Sequence, residues 1–295
     1  MDHICVCICT YQRPIWLRRL LLSLQTQRTD GRFSYSVIVA DNDPAESARS
    51  IMADFSAGNI PVFYCVEARK NIALVRNQAL SNAHGEWIAF IDDDEFPIAE
   101  WLLLLHQACA AHGAHGVLGP VRPHFDQEPP RWVRKCGLYE RPEHLTGYRI
   151  PWRECRTGNV LFRRDLLSNG VPAFDARFDN GGEDQDFFRR MMERGCRFIW
   201  CNEAVVYETV PPIRWNKKVL MQRALLRGKN TLKHADLTFA GFVKSAVAVI
   251  AYGLALPVLA VAGMHLFMRY LVKLCDHLGK LLAMVGLNNI RERVG

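Results

Sequence analysis

The sequence has little that would indicate a structural zinc site or a disulfide framework. Its ten cysteines are spread over 295 residues, and no two of them stand in Cys-x-x-Cys spacing. A structural zinc ion needs four convergent ligands, and disulfide frameworks belong to oxidising compartments. Cys5, Cys7 and Cys9 alternate with apolar residues. We therefore expect these three on one face of a strand, as small buried side chains.

The chain also lacks, at its start, the basic segment followed by an apolar one that marks a secretory signal peptide. The main part of the chain is therefore expected in the cytoplasm. No internal repeat or low-complexity tract is present either. A length of 295 residues allows one large α/β domain, or a domain with an appendage.

Charge is missing from residues 245–268, which contain no Lys, Arg, Asp or Glu. A helix of about 20 apolar residues is long enough to cross a hydrocarbon core, and membrane helices tolerate a proline such as Pro257. Residues 270–287 mix leucines at helical spacing with Lys273 and Asp276, as in an interfacial amphipathic helix. Two interpretations remain open: membrane association, by crossing or by a shallow hairpin, or a soluble apolar hairpin that docks or dimerises.

The net charge of +7 is concentrated just before that apolar stretch. The basic residues concerned are Arg214, Lys217, Lys218, Arg223, Arg227, Lys229 and Lys233. An anionic membrane surface or an anionic substrate explains this position better than nucleic acid does. If the apolar stretch crosses a membrane, the basic run marks the cytoplasmic side.

The most informative stretch is an apolar run, residues 87–91, that ends in four carboxylates, Asp92, Asp93, Asp94 and Glu95. Unpaired charges are too costly to bury inside a sheet, so these side chains belong at the end of a strand. Oxygen ligands of this kind suit Mg²⁺ or Mn²⁺. The alternative is an acidic surface turn.

Strands and helices are expected to alternate over the first hundred residues. Strands are predicted at 3–9, 35–40, 60–66 and 86–91, and helices from Pro14 and over 72–83. This alternation predicts a mainly parallel sheet flanked by helices, which binds ligands at the carboxyl ends of its strands. Thr10, Asp41 and the acidic run all fall there.

The later part of the chain differs in composition. Residues 120–155 are rich in Pro, Arg and Trp, as in a loop segment that carries substrate contacts. Regular secondary structure is expected again at residues 157–162. Gly181 and Gly182 then lead into a helix that starts with acidic residues.

Taken together, these landmarks resemble the family 2 glycosyltransferases of GT-A (Rossmann-like) fold, and within them the ExoM-like bacterial exopolysaccharide enzymes. The resemblance covers residues 3–230. The stretches that carry it are residues 6–14, 37–43, 71–77, 92–95, 157–159 and 182–184. It implies displacement of a nucleoside diphosphate from a sugar by an acceptor hydroxyl.

The resemblance also implies roles for residues at the donor site. Asp41 would bind uracil, unless it is simply a turn-forming residue, and Cys9, Thr10 and Tyr11 would line the base pocket. Asp92 and Asp93 would contact the nucleotide. Asp92 and Asp94 would hold the divalent metal, joined by Glu208 where many relatives have a histidine. Arg76 would pair with the acidic run or a phosphate, or be structural.

The remaining roles concern catalysis, the acceptor and the diphosphate. Asp184 is the expected catalytic base and Glu183 its orienting neighbour, although acids at a helix start are also ordinary caps. Trp132, Trp152, Gly158 and Asn159 are expected at the acceptor, with buried tryptophan as the plainer alternative. Gln222, Arg223 and Arg227 would contact the diphosphate or, alternatively, lipid head groups.

The sequence therefore predicts an inverting, metal-dependent hexosyltransferase, with UDP-glucose as the expected donor and a lipid-linked oligosaccharide as the expected acceptor. We expect a catalytic domain over 1–235, divided into nucleotide-binding (1–118) and acceptor-binding (119–235) halves. A membrane-associated helical tail (236–295) would hold it at the cytoplasmic face of a bacterial inner membrane. The rivals are a nucleotidyltransferase, which would need a glycine-rich phosphate loop that residues 10–14 lack, and a non-catalytic membrane scaffold that binds nucleotide-sugar or glycan.

Overall fold

The computed structural model describes residues 1–55, 58–167, 171–179, 181–231 and 239–287. The strands are β1 (Asp2–Thr10), β2 (Phe33–Asp41), β3 (Val62–Val66), β4 (Trp87–Ile91), β5 (Glu95–Pro97), β6 (Gly116–Leu118), β7 (Val121–His124), β8 (Asn159–Arg163), β9 (Phe198–Trp200) and β10 (Val206–Thr209). The helices are α1 (Pro14–Leu24), α2 (Arg49–Phe55), α3 (Ile72–Ser81), α4 (Trp101–His112), α5 (Arg131–Cys136), α6 (Glu183–Glu193), α7 (Lys217–Thr231), α8 (Phe239–Ala262) and α9 (Met264–Met284). Short 3-10 turns cover Trp152–Glu154, Arg164–Leu166 and Pro212–Trp215.

The chain divides into two compact units. The first comprises Met1–His124 and Arg141–Thr209, and the second Phe125–Glu140 and Val210–Gly295. Residues 210–231 thus group with the C-terminal helices rather than with the predicted catalytic domain. Packing units are not functional domains, so the predicted divisions at 118 and 235 stay predictions. Residues 236–238 and 288–295 of the predicted tail, and Lys233 of the basic run, lie outside the described residues.

The first unit is built on a seven-stranded sheet in the order β3-β2-β1-β4-β8-β6-β9. Four of its neighbouring pairs are parallel, and only β8 runs antiparallel to its neighbours β4 and β6. The interior strand β1 has apolar residues on both faces, and each face packs in a hydrophobic core. On one side α1 buries Leu17, Leu20, Leu21 and Leu24. The predicted α/β class with a mainly parallel sheet is confirmed.

A second, three-stranded sheet has the order β5-β10-β7. Its β10 strand is antiparallel to β5, and their register places Glu208 directly opposite Glu95. Because side chains alternate between the two faces of a strand, this register decides which carboxylates share a face. The small sheet therefore brings the end of the acidic run together with a residue more than a hundred positions later.

The second unit is helical. Its core consists of buried residues on α7 and α9, namely Leu220, Ala224, Met268, Val272 and Cys275. The two helices touch backbone to backbone, since a Cβ added at Gly228 would lie 2.0 Å from the carbonyl oxygen of Asp276. Among the described residues, one helix is long and apolar enough to cross a membrane, Phe239–Ala262, and 6% of its apolar window is buried.

Candidate active site

Three strands of the large sheet end in polar residues at one edge, as the alternation predicted. Thr10 ends β1, Asp41 ends β2, and these two residues are paired in register. The acidic run begins at Asp92, directly after the last residue of β4, and β4 is the other neighbour of β1. The strand order therefore gathers the polar ends of three segments that are distant in sequence.

Asp41 is fully buried and holds its own loop together. Its carboxylate accepts hydrogen bonds from the Asp43 N–H at 2.9 Å, the Ala48 N–H at 2.9 Å and the Tyr64 hydroxyl at 3.0 Å. Desolvation, and next the bond to Asp41, raise the pKa of Tyr64. The turn-forming alternative for Asp41 is therefore real, and its contact with a base stays a prediction.

Asn42 fixes the following segment, which sequence reasoning missed. Its amide donates to the carbonyl oxygens of Glu67 and Arg69, both at 2.7 Å, and its side-chain oxygen accepts from the Asn71 N–H. Asn71 in turn caps α3 by accepting from the N–H groups of Ala73 and Leu74. These amides connect the end of β2 to the start of α3.

Asp93 is buried and bonds to two side chains of the protein. Its two oxygens accept from the Thr10 hydroxyl at 2.8 Å and from the Arg13 guanidinium at 3.0 Å. Desolvation raises the pKa of Asp93 to about 7, although Arg13 opposes the shift. Asp93 thus links β1 to the acidic run, and its predicted contact with the nucleotide stays a prediction. Arg13, which also lies 3.4 Å from Asp94, was missed as a site residue.

The other carboxylates form what we call the acidic cluster: Asp92, Asp94, Glu95 and Glu208. Glu95 is 2% exposed, and its carboxylate accepts from the Asp92 N–H at 3.0 Å. A Cβ added at Gly158 would lie 2.6 Å from a Glu95 carboxylate oxygen, so this glycine makes room for the buried acid. Gly158 therefore shapes the cluster, and its predicted acceptor contact stays untested.

Like charges and burial both act on the acidic cluster. Desolvation raises the pKa of Glu95 well above its usual value, and the neighbouring Asp92 raises it further. The pKa of Asp92 is also raised, by desolvation first and then by Asp94 and Glu208, while Arg76 and Arg141 oppose the shift. The Asp92 side chain is 48% exposed, so solvent screens it more than it screens Glu95. Burial and mutual repulsion thus make the ionised forms of Asp92 and Glu95 harder to maintain.

Arg141 is the cation that the sequence did not reveal. Its guanidinium lies 2.6 Å from the Glu208 carboxylate and acts electrostatically on Asp92, Asp94 and Glu95 as well. The residue sits in the Pro-, Arg- and Trp-rich segment with no local motif around it. Only the folded chain brings it to the acidic cluster.

The acidic cluster suits a divalent cation by its chemistry, because it offers several carboxylate oxygens. Within the described ranges, no three His, Cys, Asp or Glu side chains already converge on one point. Asp92, Asp94 and Glu208 are the residues that would hold an ion, and the Arg141 guanidinium now lies among them. The predicted ligand set stays a prediction.

Arg76 lies on α3 and is buried between two acidic groups. Its guanidinium lies 3.5 Å from Asp92 and forms an ion pair with Glu183 at the start of α6. It also lies 5.7 Å from the ring centroid of Phe174. The sequence prediction that Arg76 pairs with the acidic run agrees with this position. The residue additionally ties the acidic cluster to α6.

At the start of α6, a half-buried Asp184 follows a buried Glu183. Gly182, at φ 101°, occupies the N-cap position, so the acids lie inside the first turn instead of serving as the cap residue. Asp184 accepts from the Gln185 N–H at 2.8 Å, while Asp186 is held by Arg189 and Arg190. Among the described residues, one carboxylate oxygen of Glu183 is buried without a hydrogen-bond partner.

Two of the residues predicted at the acceptor have structural roles. Asn159 is buried, accepts from the Trp101 indole N–H at 2.8 Å, and donates to the carbonyl oxygens of Pro120 and Ala204. Its amide is therefore used inside the fold, and its predicted acceptor contact stays a prediction. Trp132, on α5, packs against the hydrophobic core of the second unit, as the plainer alternative anticipated.

Trp152 remains near the catalytic helix. It is partly buried against the core of the first unit, and the Arg153 guanidinium lies 4.3 Å from its ring centroid. The Gln185 amide, next to Asp184, donates to the Arg153 carbonyl at 3.0 Å. This contact places the Trp152 turn beside the start of α6.

The remaining predicted residues are distributed over both units. Cys9 is half-buried at the end of β1, and Tyr11 follows in the loop, where Lys70 lies 5.0 Å from its ring centroid. Gln222, Arg223 and Arg227 lie on α7 in the second unit, where Arg227 pairs with Asp276 at 2.6 Å. Their predicted contact with the diphosphate stays a prediction.

Comparison with known proteins identifies the family. The model of glycosyl transferase family 2 matches residues 5–170. The chain is 36% identical over 236 residues to the succinoglycan biosynthesis protein ExoM of Rhizobium meliloti, covering 77% of this chain and 73% of ExoM. It is 26% identical over 251 residues to the Escherichia coli chondroitin synthase, covering 74% of this chain but only 36% of that enzyme.

Solved structures agree in fold. The mannosyltransferase PcManGT of Pyrobaculum calidifontis, in complex with GDP-Man and Mn²⁺, aligns with a TM-score of 0.65 at 18% identity, covering 98% of this chain and 88% of its own. S. aureus TarS 1-349 in complex with UDP-GlcNAc aligns at 0.56 and 20% identity, covering 81% and 69%. Family 2 enzymes of GT-A fold are generally dependent on a divalent metal, and the Mn²⁺ complex is consistent with this.

Proposed function

Because the chain belongs to glycosyl transferase family 2, we propose that it transfers a hexose with inversion from a nucleoside diphosphate donor to a glycan. UDP-glucose is the proposed donor, and a lipid-linked oligosaccharide of exopolysaccharide synthesis is the proposed acceptor. The observation that carries the proposal is the bridge made by Arg76, which joins the acidic cluster to the first turn of α6. A donor site and a base for the acceptor then lie on opposite sides of one buried guanidinium.

The donor end of the proposed site is the acidic cluster. Asp92 and Asp94, with Glu208, are the residues that would hold Mg²⁺ or Mn²⁺. A bound divalent cation would stabilise the negative charge that the diphosphate gains as the glycosidic bond breaks. Glu95 holds the Asp92 backbone, and Arg76 and Arg141 limit the repulsion between the carboxylates.

The acceptor end is the start of α6. Asp184 accepts the proton of the acceptor hydroxyl while that oxygen forms its bond to the anomeric carbon and the diphosphate leaves with the bonding electron pair. Glu183 is held by Arg76 and therefore restrains the first turn, which orients Asp184. Trp152, beside this turn, is the aromatic side chain that we propose for contact with an acceptor sugar.

We further propose that the enzyme works at the cytoplasmic face of the bacterial inner membrane. The apolar helix α8 supports this location because almost none of it is buried within the protein. Binding to the membrane would concentrate the enzyme at the surface that carries the proposed lipid-linked acceptor. Nucleic acid is not proposed as a partner.

The test is release of UDP and formation of a glycosylated lipid when purified protein is mixed with UDP-sugar, Mn²⁺ and acceptor lipid. Thermal-shift measurements with a panel of nucleotide-sugars, with and without Mn²⁺, identify the donor first. Asp184→Asn is expected to lower turnover by on the order of 10²- to 10⁴-fold while UDP-sugar affinity stays nearly unchanged. Glu193→Gln, an exposed acid on the same helix, is the matched control and keeps full turnover.

Two results would overturn the proposal. Binding of UDP-sugar with no turnover under any acceptor condition would indicate a scaffold that binds without catalysis. Equal loss of binding and turnover in Asp184→Asn would make that residue structural and would remove the proposed base.

A further inference from the structure

We propose that α8 and α9 form a hairpin that lies in the plane of an anionic lipid bilayer, with one face of α8 immersed and no helix crossing. This inference rests on the membrane location in the proposed function and specifies how that location is achieved. It depends on contacts within the second unit alone.

The two helices form a tight antiparallel pair. A single residue, Gly263 at φ 137°, separates them and reverses the chain. The Tyr252 and Tyr270 rings lie 5.6 Å apart between centroids, and the Ser245 hydroxyl lies 3.3 Å from a ring nitrogen of His277. The first contact lies nearer the turn and the second farther from it. The two helices therefore pack side by side along most of α8.

One face of α8 is apolar and exposed. Its members recur every three or four residues, which places them on one side of a helix. They are Phe239, Val243, Val247, Ile250, Leu254, Val258 and Val261. Leu254 is 76% exposed and Val261 is 91% exposed. A contiguous apolar face of this kind marks an interaction surface rather than ordinary scatter.

The second helix of the hairpin, α9, is too polar to cross a bilayer beside α8. Along the stretch paired with α8, α9 carries Arg269, Lys273 and Asp276, and ionised side chains are costly at the bilayer centre. Its buried face is packed on α7, where Gly279 allows backbone contact with Leu225 and where Asp276 pairs with Arg227. A crossing of α8 would therefore bring charged residues and a polar helix into hydrocarbon.

An in-plane position satisfies both observations. The exposed face of α8 enters the boundary between head groups and acyl chains, to a depth of about 5–10 Å. The hairpin over 239–284 carries four basic residues, Lys244, Arg269, Lys273 and Lys280, and one acidic residue, Asp276, which pairs with Arg227. Basic residues at this level attract anionic lipids, which is why we choose an anionic bilayer rather than a second copy of the chain as the occupant.

The first test is flotation of the full chain with phosphatidylcholine vesicles, with and without phosphatidylglycerol. The wild type is expected to bind the anionic vesicles more tightly, and binding should weaken in high salt. Leu254→Glu is expected to reduce the vesicle-bound fraction by roughly tenfold, since it removes a large apolar side chain from the immersed face. Ile15→Glu, at an 80% exposed apolar position on α1, is the matched control and leaves binding unchanged.

The second test distinguishes lying on the bilayer from crossing it. Ala262→Cys, at the exposed end of α8 beside the turn, is treated with a membrane-impermeant maleimide after the protein is added to the outside of sealed vesicles. Labelling above the wild-type background from the outside supports the in-plane hairpin. Labelling only after the vesicles are opened with detergent would overturn it.

Failure of this inference is separable from failure of the proposed function. UDP-sugar binding by Leu254→Glu, measured without vesicles, reports on the donor site alone and should equal that of the wild type. Loss of that binding together with loss of flotation would indicate a misfolded variant, and Val247→Glu, elsewhere on the same face, then repeats the measurement. Absence of vesicle binding by the wild type, or dimerisation that hides the same face, would overturn the inference.

Discussion

The edge of the large sheet and the C-terminal hairpin depart in opposite directions from the usual placement of side chains. At the sheet edge, Asp93, Asp94 and Glu95 are buried although acidic residues are rarely so. On the hairpin, Leu254 and Val261 are exposed although apolar residues prefer the interior. Each region therefore places side chains where their residue type is seldom found: carboxylates in the interior in one case, and apolar side chains in contact with solvent in the other. Both belong to a protein whose proposed ligands are a cation with a diphosphate and a lipid bilayer.

The largest expected effect tests the charged region. Asp94→Ala should lower Mn²⁺-dependent UDP-sugar affinity by on the order of a hundredfold, because a ligand for the cation is lost. Arg13 keeps its bond to Asp93, so the fold should survive, as circular dichroism would verify. Isothermal titration with and without Mn²⁺ measures the change. Asp54→Ala, an exposed acid on α2, is the control. Undiminished binding by Asp94→Ala would remove this residue from the metal site.

The next largest effect tests the packing beneath the apolar region. Gly228→Ala should lower the free energy of unfolding by about 1–3 kcal/mol, since its Cβ would collide with the Asp276 carbonyl on α9. Gly253→Ala, on α8, meets only a Leu274 methyl carbon at 3.9 Å and should be neutral or stabilising by up to about 1 kcal/mol. Denaturant melts compare the two. Equal effects would mean that α7 and α9 do not pack this closely.

A smaller effect concerns Arg141, the arginine that pairs with Glu208 in the acidic cluster. Arg141→Gln should destabilise the metal-free protein by about 1 kcal/mol or less, because the ion pair with Glu208 is partly exposed. Added Mn²⁺ should then stabilise the variant more than the wild type in thermal melts, since the ion no longer competes with a guanidinium. Arg122→Gln breaks a comparably exposed pair with Glu143 away from the cluster and should show no such gain. The opposite order would argue that Arg141 assists metal binding.

The smallest effect is on pH dependence. Because the pKa of Asp93 is raised to about 7 in the folded protein, the folded state keeps a proton that the unfolded state loses near pH 4. Stability in chelator should therefore fall as pH rises from about 4 to about 7. Asp93→Asn should flatten that decline, as denaturant melts across this range would measure. An unchanged slope would assign the dependence to other carboxylates.

Much of the fold could be predicted because hydrophobic periodicity is local. The apolar run of β1 and the acidic run after β4 are legible one segment at a time, and parallel strand order then brings their ends together. The resemblance to the family added Asp184 and Arg76 as candidate site residues, and their roles stay predictions. The sequence could not predict which polar residues bond within the fold, as Asn159 and Asp93 do.

These internal bonds could not be predicted from the sequence, for a physical reason. Whether an amide or a carboxylate faces a ligand or the core depends on partners supplied by distant segments, such as Trp101 for Asn159 and Arg13 for Asp93. Arg141 was missed for the same reason, because no local pattern marks an arginine whose partner, Glu208, is on a later strand. Its approach to the cluster depends on the whole fold.

The pairing of Glu208 with Glu95 across the small sheet has a consequence for how this protein can change over evolution. Side chains on β10 alternate between two faces, so one residue inserted or deleted within that strand would turn Glu208 away from its neighbours. The loops on either side of β10 can accept insertions and deletions more readily, whereas β10 itself can accept substitutions but not a change in length. The alternation of side chains along this four-residue strand thus decides whether Glu208 belongs to the acidic cluster.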